Sequence, residues 1–121
     1  MLGPNQKKWI AALRSGEYEQ SKGKLKCRTG FCCLGVWLDI CGVEWKNSLN
    51  FSSYKGYEYS LPDANYKELG LKSDDGLIDP PITYNNDIHK YLTDCNDRGL
   101  TFEEIADLCE QYPESIFEEP K

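Results

Sequence analysis

The sequence predicts a small single α+β domain over residues 1–121, on three observations. A twelve-residue segment, 30–41, is almost entirely apolar and bears one charge, Asp39. A lysine-rich stretch before it alternates at strand period, and the last third carries apolar residues at helical spacing with a clear capping signal. From these follow a central buried helix, an N-terminal β-hairpin and a C-terminal helical pair.

The elements are justified in order. Asn5 can cap a helix through QKKWIAALR, with Trp9, Ile10 and Leu13 on one face and Ser15-Gly16 as its stop. EYEQSKGKLKCR reads as a hairpin about Lys22-Gly23. That register sets Tyr18 against Cys27 and Gln20 against Leu25, and lets Glu17 and Glu19 face Arg28 and Lys26. In segment 30–41, Phe31, Leu34, Leu38 and Cys41 share one stripe, and Cys33, Trp37 and Ile40 a neighbouring one. Residues 42–60 read as short strands and loops. Pro62 suits the first turn of a short helix closed at Gly70, and residues 71–85 read as loop because Pro80-Pro81 interrupts regular structure.

Ile88, Tyr91, Leu92 and Cys95 fall at i, i+3, i+4 and i+7, which predicts a helix over 86–98 stopped by Gly99, with His89 facing solvent. Thr101 and Glu104 form a capping box, with Leu100 and Ile105 as its hydrophobic staple. Ile105, Leu108, Cys109 and Tyr112 then face inward. Pro113 ends the helix, and 113–121 reads as an acidic tail docked through Ile116 and Phe117.

Composition narrows the function classes. Forty per cent hydrophobic residues, with three Trp, eight Tyr and four Phe, is a packing composition. No apolar run reaches the roughly 20 residues needed to cross a bilayer. The start, MLGPNQKKWIAALRSG, is too amphipathic for a signal peptide, so an intracellular setting with reduced thiols is expected. The net charge of −6 divides unevenly: residues 1–60 hold nine Lys/Arg against five Asp/Glu, and residues 61–121 five against fifteen. The acidic total disfavours direct nucleic-acid binding. No membrane partner is expected, and a homo-oligomer remains open.

The six cysteines lack paired C-x-x-C spacing, and adjacent Cys32 and Cys33 point about 100 degrees apart on a helix. Core packing is the favoured reading, ahead of metal ligation or redox chemistry. No metal or cofactor is expected. His89 has no local partner, and no nucleophile, phosphate-loop or H-E-x-x-H signature occurs, so no enzyme is expected. DRGLTFEEIADLCE has the opening of a helix-turn-helix unit, but the acidic, proline-broken EQYPESIFEEPK that follows cannot read DNA. Lys22, Lys24, Lys26 and Arg28 make a cationic ridge if their strand starts early; in the hairpin, Glu17 and Glu19 neutralise two of them.

Four phrases, W-x-x-A-L-R-S-G-x-Y-x-Q (Trp9 to Gln20), F-C-C-L-G-V (Phe31 to Val36), L-P before a short helix with L-G-L, and N-D-x-G-x-T-F-E-E-I-A-D (Asn96 to Asp107), occur in this order. In this the chain resembles a group of small bacteriophage- and prophage-encoded proteins; Cys95 stands where the pattern has a leucine-like residue. The resemblance implies a role in the cytoplasm of an infected bacterium. The leading expectation is a counter-defence binding protein that sequesters a phosphate-bearing, nucleotide-derived signal of host immunity. Its candidate ligand residues are Arg14, which can fork two hydrogen bonds onto phosphate, Tyr18 as a stacking face, Gln20 as an amide, and Lys24, which the hairpin leaves without a carboxylate. The alternatives are an acidic inhibitor that masks a host defence protein or mimics nucleic acid, and a small structural or housekeeping phage protein.

Overall fold

Pro4 starts the chain's first helix, because its fixed φ suits a first turn and its missing N–H is not needed there. In the computed structural model, which describes residues 2–118, this helix is α1, Pro4–Arg14, with Gly3 at its N-cap. The Gln6 side-chain oxygen accepts the Gly3 N–H at 2.9 Å. Asn5 is therefore not the cap: it lies inside the first turn, and its amide donates to the Glu68 carbonyl at 3.0 Å.

No hairpin turns at Lys22-Gly23. The strands are β1, Lys26–Cys27, and β2, Gly30–Phe31, with Lys26 opposite Phe31 and Cys27 opposite Gly30. Residues 19–21 instead run parallel beside β2: Glu19 O accepts from Phe31 N at 2.9 Å, and Ser21 N donates to Phe31 O at 2.8 Å. Gly30 permits this approach, since a Cβ there would lie 2.8 Å from the Glu19 carbonyl carbon and nearer to its oxygen. Lys-Gly is a weak turn signal, and backbone bonds to β2 prevail over the local charge pairing.

The apolar segment forms α2, Cys33–Ile40, with Cys33 to Leu38 all buried. Cys32 caps it, its sulfur accepting the Gly35 N–H at 3.4 Å. Because Gly30 and Phe31 belong to β2, the helix is shorter than segment 30–41. Phe31 is half-buried and Cys41, past the last turn, is exposed. β3, Lys46–Asn47, and β4, Phe51–Ser53, complete a four-stranded antiparallel sheet ordered β2-β1-β4-β3. α3, Asp63–Leu69, ends at Gly70, whose φ of 82° is the left-handed conformation expected of a glycine stop.

The stretch after α3 departs most from expectation. Residues 77–84 form β5, Leu77–Tyr84, and Asp87–Tyr91 forms β6, an antiparallel pair where the sequence predicts loop and helix. Pro80 and Pro81 fit because the register breaks between Leu77 and Ile82, so no ladder bond is asked of them. Asn85 and Asn86, with φ of 50° and 68°, make the tight turn. Changing the period from 3.6 to 2 inverts the faces. Ile88 and Tyr91 are exposed, while His89 is buried beside the Tyr84 ring, its Nδ1 without a partner. Helix α4 is only Leu92–Asp97.

α5, Phe102–Gln111, carries the capping box: Thr101 Oγ1 accepts the Glu104 N–H at 3.1 Å, and the Glu104 carboxylate accepts the Thr101 N–H at 3.0 Å. Leu100 and Ile105 are buried beside it. Tyr112 is exposed, since the chain leaves helical geometry there before α6, Pro113–Ile116. The tail docks through Ile116 and Phe117, and Glu118 N donates to Gly70 O at 2.7 Å. Positions 119–121 of the expected acidic tail lie outside the described residues.

The Thr101 N–H and then the Tyr84 hydroxyl hold the Glu104 carboxylate below its ordinary value of 4.5. A carboxylate depressed by folding adds stability above that value, and the gain is lost as pH falls through the lower folded one. Glu104→Gln should therefore cost stability at pH 6 and little at pH 3, which urea unfolding at the two pH values reads directly.

Candidate functional site

The four candidate ligand residues do not converge. Arg14 reaches across to α5, donating to Glu103 at 3.0 Å, to Asp107 at 2.8 Å and to Glu110. Tyr18 donates its hydroxyl to Asp39 at 2.9 Å and sets its ring edge-on to Phe31. Burial and the Asp39 bond push that phenol up to about 12. Lys24 does have a carboxylate: it pairs with Glu58 at 2.5 Å and lies 4.2 Å from the centroids of the Phe51 and Tyr59 rings.

Gln20 belongs to a polar network inside the domain. Its amide donates to Asn96 Oδ1 at 2.9 Å and to Leu100 O at 2.8 Å, and its oxygen accepts the Phe102 N–H at 3.1 Å. Asn96, fully buried, also accepts the Cys33 N–H at 3.1 Å and donates to Ser21 O at 2.7 Å. The Trp9 indole donates to Cys33 O at 2.9 Å. One set of bonds thus ties α1, the 18–21 strap, the start of α2, α4 and α5.

A groove of about 300 Å³ opens instead on the four-stranded sheet, where β1, β4 and β3 lie side by side. It is lined by Lys26, Arg28, Asn47, Ser48, Phe51 and Ser52, with Cys27 and Leu49, and no carboxylate is among its lining residues. Neither Lys26 nor Arg28 forms an ion pair among the described residues. Lys26 Nζ lies 5.2 Å from the Phe31 ring centroid and 5.3 Å from that of Trp45. Residues 20–38 and 46–57 contain no Asp or Glu, in a chain that has twenty. β1 and β4, one from each acid-free run, pair with Lys26 opposite Ser52. Sequence reasoning missed the groove because it paired Arg28 with Glu17 and Lys26 with Glu19; the two acid-free runs were the signal that could have found it.

Cys32, Cys33, Cys95 and Cys109 are core residues, as expected, whereas Cys27 is half-buried in this groove and Cys41 is exposed. Burial raises the Cys27 thiol, but the nearby Ser21 hydroxyl, the Thr29 hydroxyl at 3.3 Å and the Thr29 and Gly30 backbone outweigh it and bring the thiol down to about 7. Burial and the Glu68 carboxylate push Cys41 up to about 12. Thiolate abundance favours Cys27 by about five decades, and the greater nucleophilicity of a more basic thiolate returns about two of them. Cys27 should thus be alkylated by iodoacetamide roughly a hundredfold or more faster at pH 7, despite its lesser exposure. Peptide mass spectrometry at timed quenches measures this; equal rates would refute the assigned environments.

A second concavity, about 620 Å³, lies where α1, the end of α2 and α3 meet, with Lys8, Glu44 and Glu68 among its lining residues. Among the described residues no group of three or more His, Cys, Asp or Glu side chains is placed to hold a metal ion. No helix of the described residues is long and apolar enough to cross a membrane.

Fold and network together define a small α+β domain whose 18–21 strap is pinned by buried side-chain bonds, with an acid-free groove on its four-stranded sheet. The chain belongs to the family described as Domain of unknown function (DUF8296), whose model matches residues 3–113. No curated protein and no solved structure matches the chain.

Proposed function

We propose that the chain is a phage-encoded binding protein that works in the cytoplasm of the infected bacterium. Its acid-free groove holds a phosphate-bearing, nucleotide-derived ligand and so withdraws a host immune signal. One observation carries this reading: in a chain of net charge −6, the groove gathers two cations without a carboxylate. Lys26 and Arg28 supply the charge for phosphate, Asn47, Ser48 and Ser52 the donors and acceptors for a sugar, and Phe51 an apolar surface for a base. In this reading Arg14, Tyr18, Gln20 and Lys24 belong to the framework of the domain and do not touch the ligand. The alternative of an acidic mask has less support, because Glu103, Asp107 and Glu110 already gather on Arg14.

Calorimetric titration with linear and cyclic nucleotides, ADP-ribose derivatives included, tests the reading. Binding tighter than about 1 mM is expected for at least one member. Lys26→Ala and Arg28→Ala should each weaken it roughly tenfold, with affinity falling as salt rises, whereas Arg14→Ala should leave affinity unchanged. A panel without a binder overturns the reading, as does a binder indifferent to both groove substitutions.

A further inference from the structure

Asp39, the single charge of segment 30–41, has no ion-pair partner among the described residues. Both its oxygens are nonetheless engaged, each by an aromatic donor. The Tyr18 hydroxyl donates to Oδ2 at 2.9 Å and the Trp45 indole to Oδ1 at 3.3 Å. Each ring tethered in this way meets Phe31. Tyr18 stands edge-on to it, with centroids 5.1 Å apart and planes at 85°, and Trp45 lies 6.3 Å away at 62°. Such steep contacts suit the ring quadrupoles. All three rings are half-buried. Lys26 rests on this cluster. It is the cross-strand partner of Phe31, and its ammonium lies 5.2 Å from the Phe31 centroid and 5.3 Å from that of Trp45. Neither ring is among the groove's lining residues, whereas Lys26 is. Of the groove's two cations, Lys26 alone lies over a ring among the described residues. A lysine ammonium on its flexible four-carbon stem otherwise samples many positions, and attraction to two ring faces narrows them before a ligand arrives.

We propose that Asp39 is the positioning residue of the groove: by tethering Tyr18 and Trp45 it sets the ring pair that holds the Lys26 ammonium, and so presents that charge to a phosphate. The last step rests on the phosphate reading of the groove; the tethering does not. A carboxylate suits the task because it offers an acceptor to each donor. Asparagine can keep both contacts, its oxygen accepting the indole N–H and its amide donating to the Tyr18 hydroxyl, while removing the charge. Alanine removes both contacts.

The test is NMR of the full chain with isotope-labelled lysine and arginine side chains, free and titrated with pyrophosphate. In the ligand-free parent, ring currents should displace the Lys26 methylene signals upfield of those of exposed Lys7 and Lys8. Asp39→Ala should erase that displacement and weaken pyrophosphate binding roughly threefold, and Asp39→Asn should restore both. The Trp9 indole signal, from a buried ring bonded to Cys33 O, reports that the fold is kept. If alanine unfolds the chain, Trp45→Phe makes the same comparison, since it keeps a ring and loses the bond to Asp39. Lys26 signals that sit with those of Lys7 and Lys8 in the parent, or that ignore Asp39→Ala, overturn the proposal. Asparagine behaving as alanine overturns it too, because the charge of Asp39 and not its tethering would then be at work. Pyrophosphate that moves neither Lys26 nor Arg28, with the variants otherwise as expected, upholds the tethering and sinks the phosphate reading. Pyrophosphate bound through Lys26 equally well by the parent and Asp39→Ala does the opposite.

Discussion

Asn96→Ala should lower the stability of the domain by about 4 kcal/mol, a large share of the roughly 5–15 kcal/mol that holds a domain of this kind together. The side chain is fully buried and makes three hydrogen bonds, to Gln20, Cys33 N and Ser21 O. Alanine removes a donor and an acceptor that water cannot replace. It strands the Cys33 N–H and the Ser21 carbonyl at about 1–3 kcal/mol each and leaves a cavity beside them. Gln20 loses one of its three bonds and keeps those to Leu100 O and Phe102 N. The two side chains share a network, so Gln20→Ala and the double variant should be strongly non-additive. Urea unfolding followed by Trp fluorescence gives all four stabilities. A loss under about 1 kcal/mol for Asn96→Ala would show that the network does not hold the strap.

The same network explains which parts of the fold were legible. The phrase W-x-x-A-L-R-S-G-x-Y-x-Q supplies Trp9 and Gln20, F-C-C-L-G-V supplies Cys33, and the Asn-Asp phrase supplies Asn96 and Phe102. Those phrases thus hold framework residues that bond to one another. The helices were readable because each carries its own boundary signal: the capping box of α5, the glycine stop of α3, and the all-round apolar surface of α2. The β5–β6 hairpin was not, since Ile88, Tyr91, Leu92 and Cys95 satisfy a helical template across what is really a strand followed by a helix. Asn85-Asn86 was the turn signal that could have decided otherwise. The partners of the charged residues were hidden for a different reason. Arg14 finds its carboxylates 89, 93 and 96 residues away, and Lys24 finds Glu58 34 residues away. Local pairing rules reach no further than a turn or a hairpin. A groove assembled from residues 26–28 and 47–52 becomes visible only once β1 lies against β4.

Gly35→Ala should be more damaging still, about 4–5 kcal/mol, although helix propensity alone argues the other way. Exchanging glycine for alanine inside a helix such as α2 ordinarily adds about 1 kcal/mol. At position 35, however, a Cβ would lie 2.7 Å from the carbonyl carbon of Leu25 and closer to its oxygen. Backbone cannot swing aside as a long side chain does, and this backbone is held on both sides. Leu25 O accepts from Cys32 N at 3.1 Å, and Leu25 N donates to Glu58 O at 2.6 Å. Its side chain is fully buried. Relieving the clash means lifting α2 from the 25–26 segment, which breaks the Cys32 bond and opens the core around Leu25 and Leu34. Overpacking costs about 1–3 kcal/mol and each stranded buried group a similar amount, so steric exclusion outweighs propensity several-fold. Gly23→Ala is the control: that glycine has a φ of 88° with open space around it, so alanine there meets backbone strain of about 1 kcal/mol and no clash. Thermal and urea unfolding of the two variants should place Gly23→Ala close to the parent and leave Gly35→Ala largely unfolded or poorly soluble at 37 °C. A Gly35→Ala protein as stable as the parent would mean that α2 does not sit on the Leu25 carbonyl, and the position of the central helix would have to be redrawn.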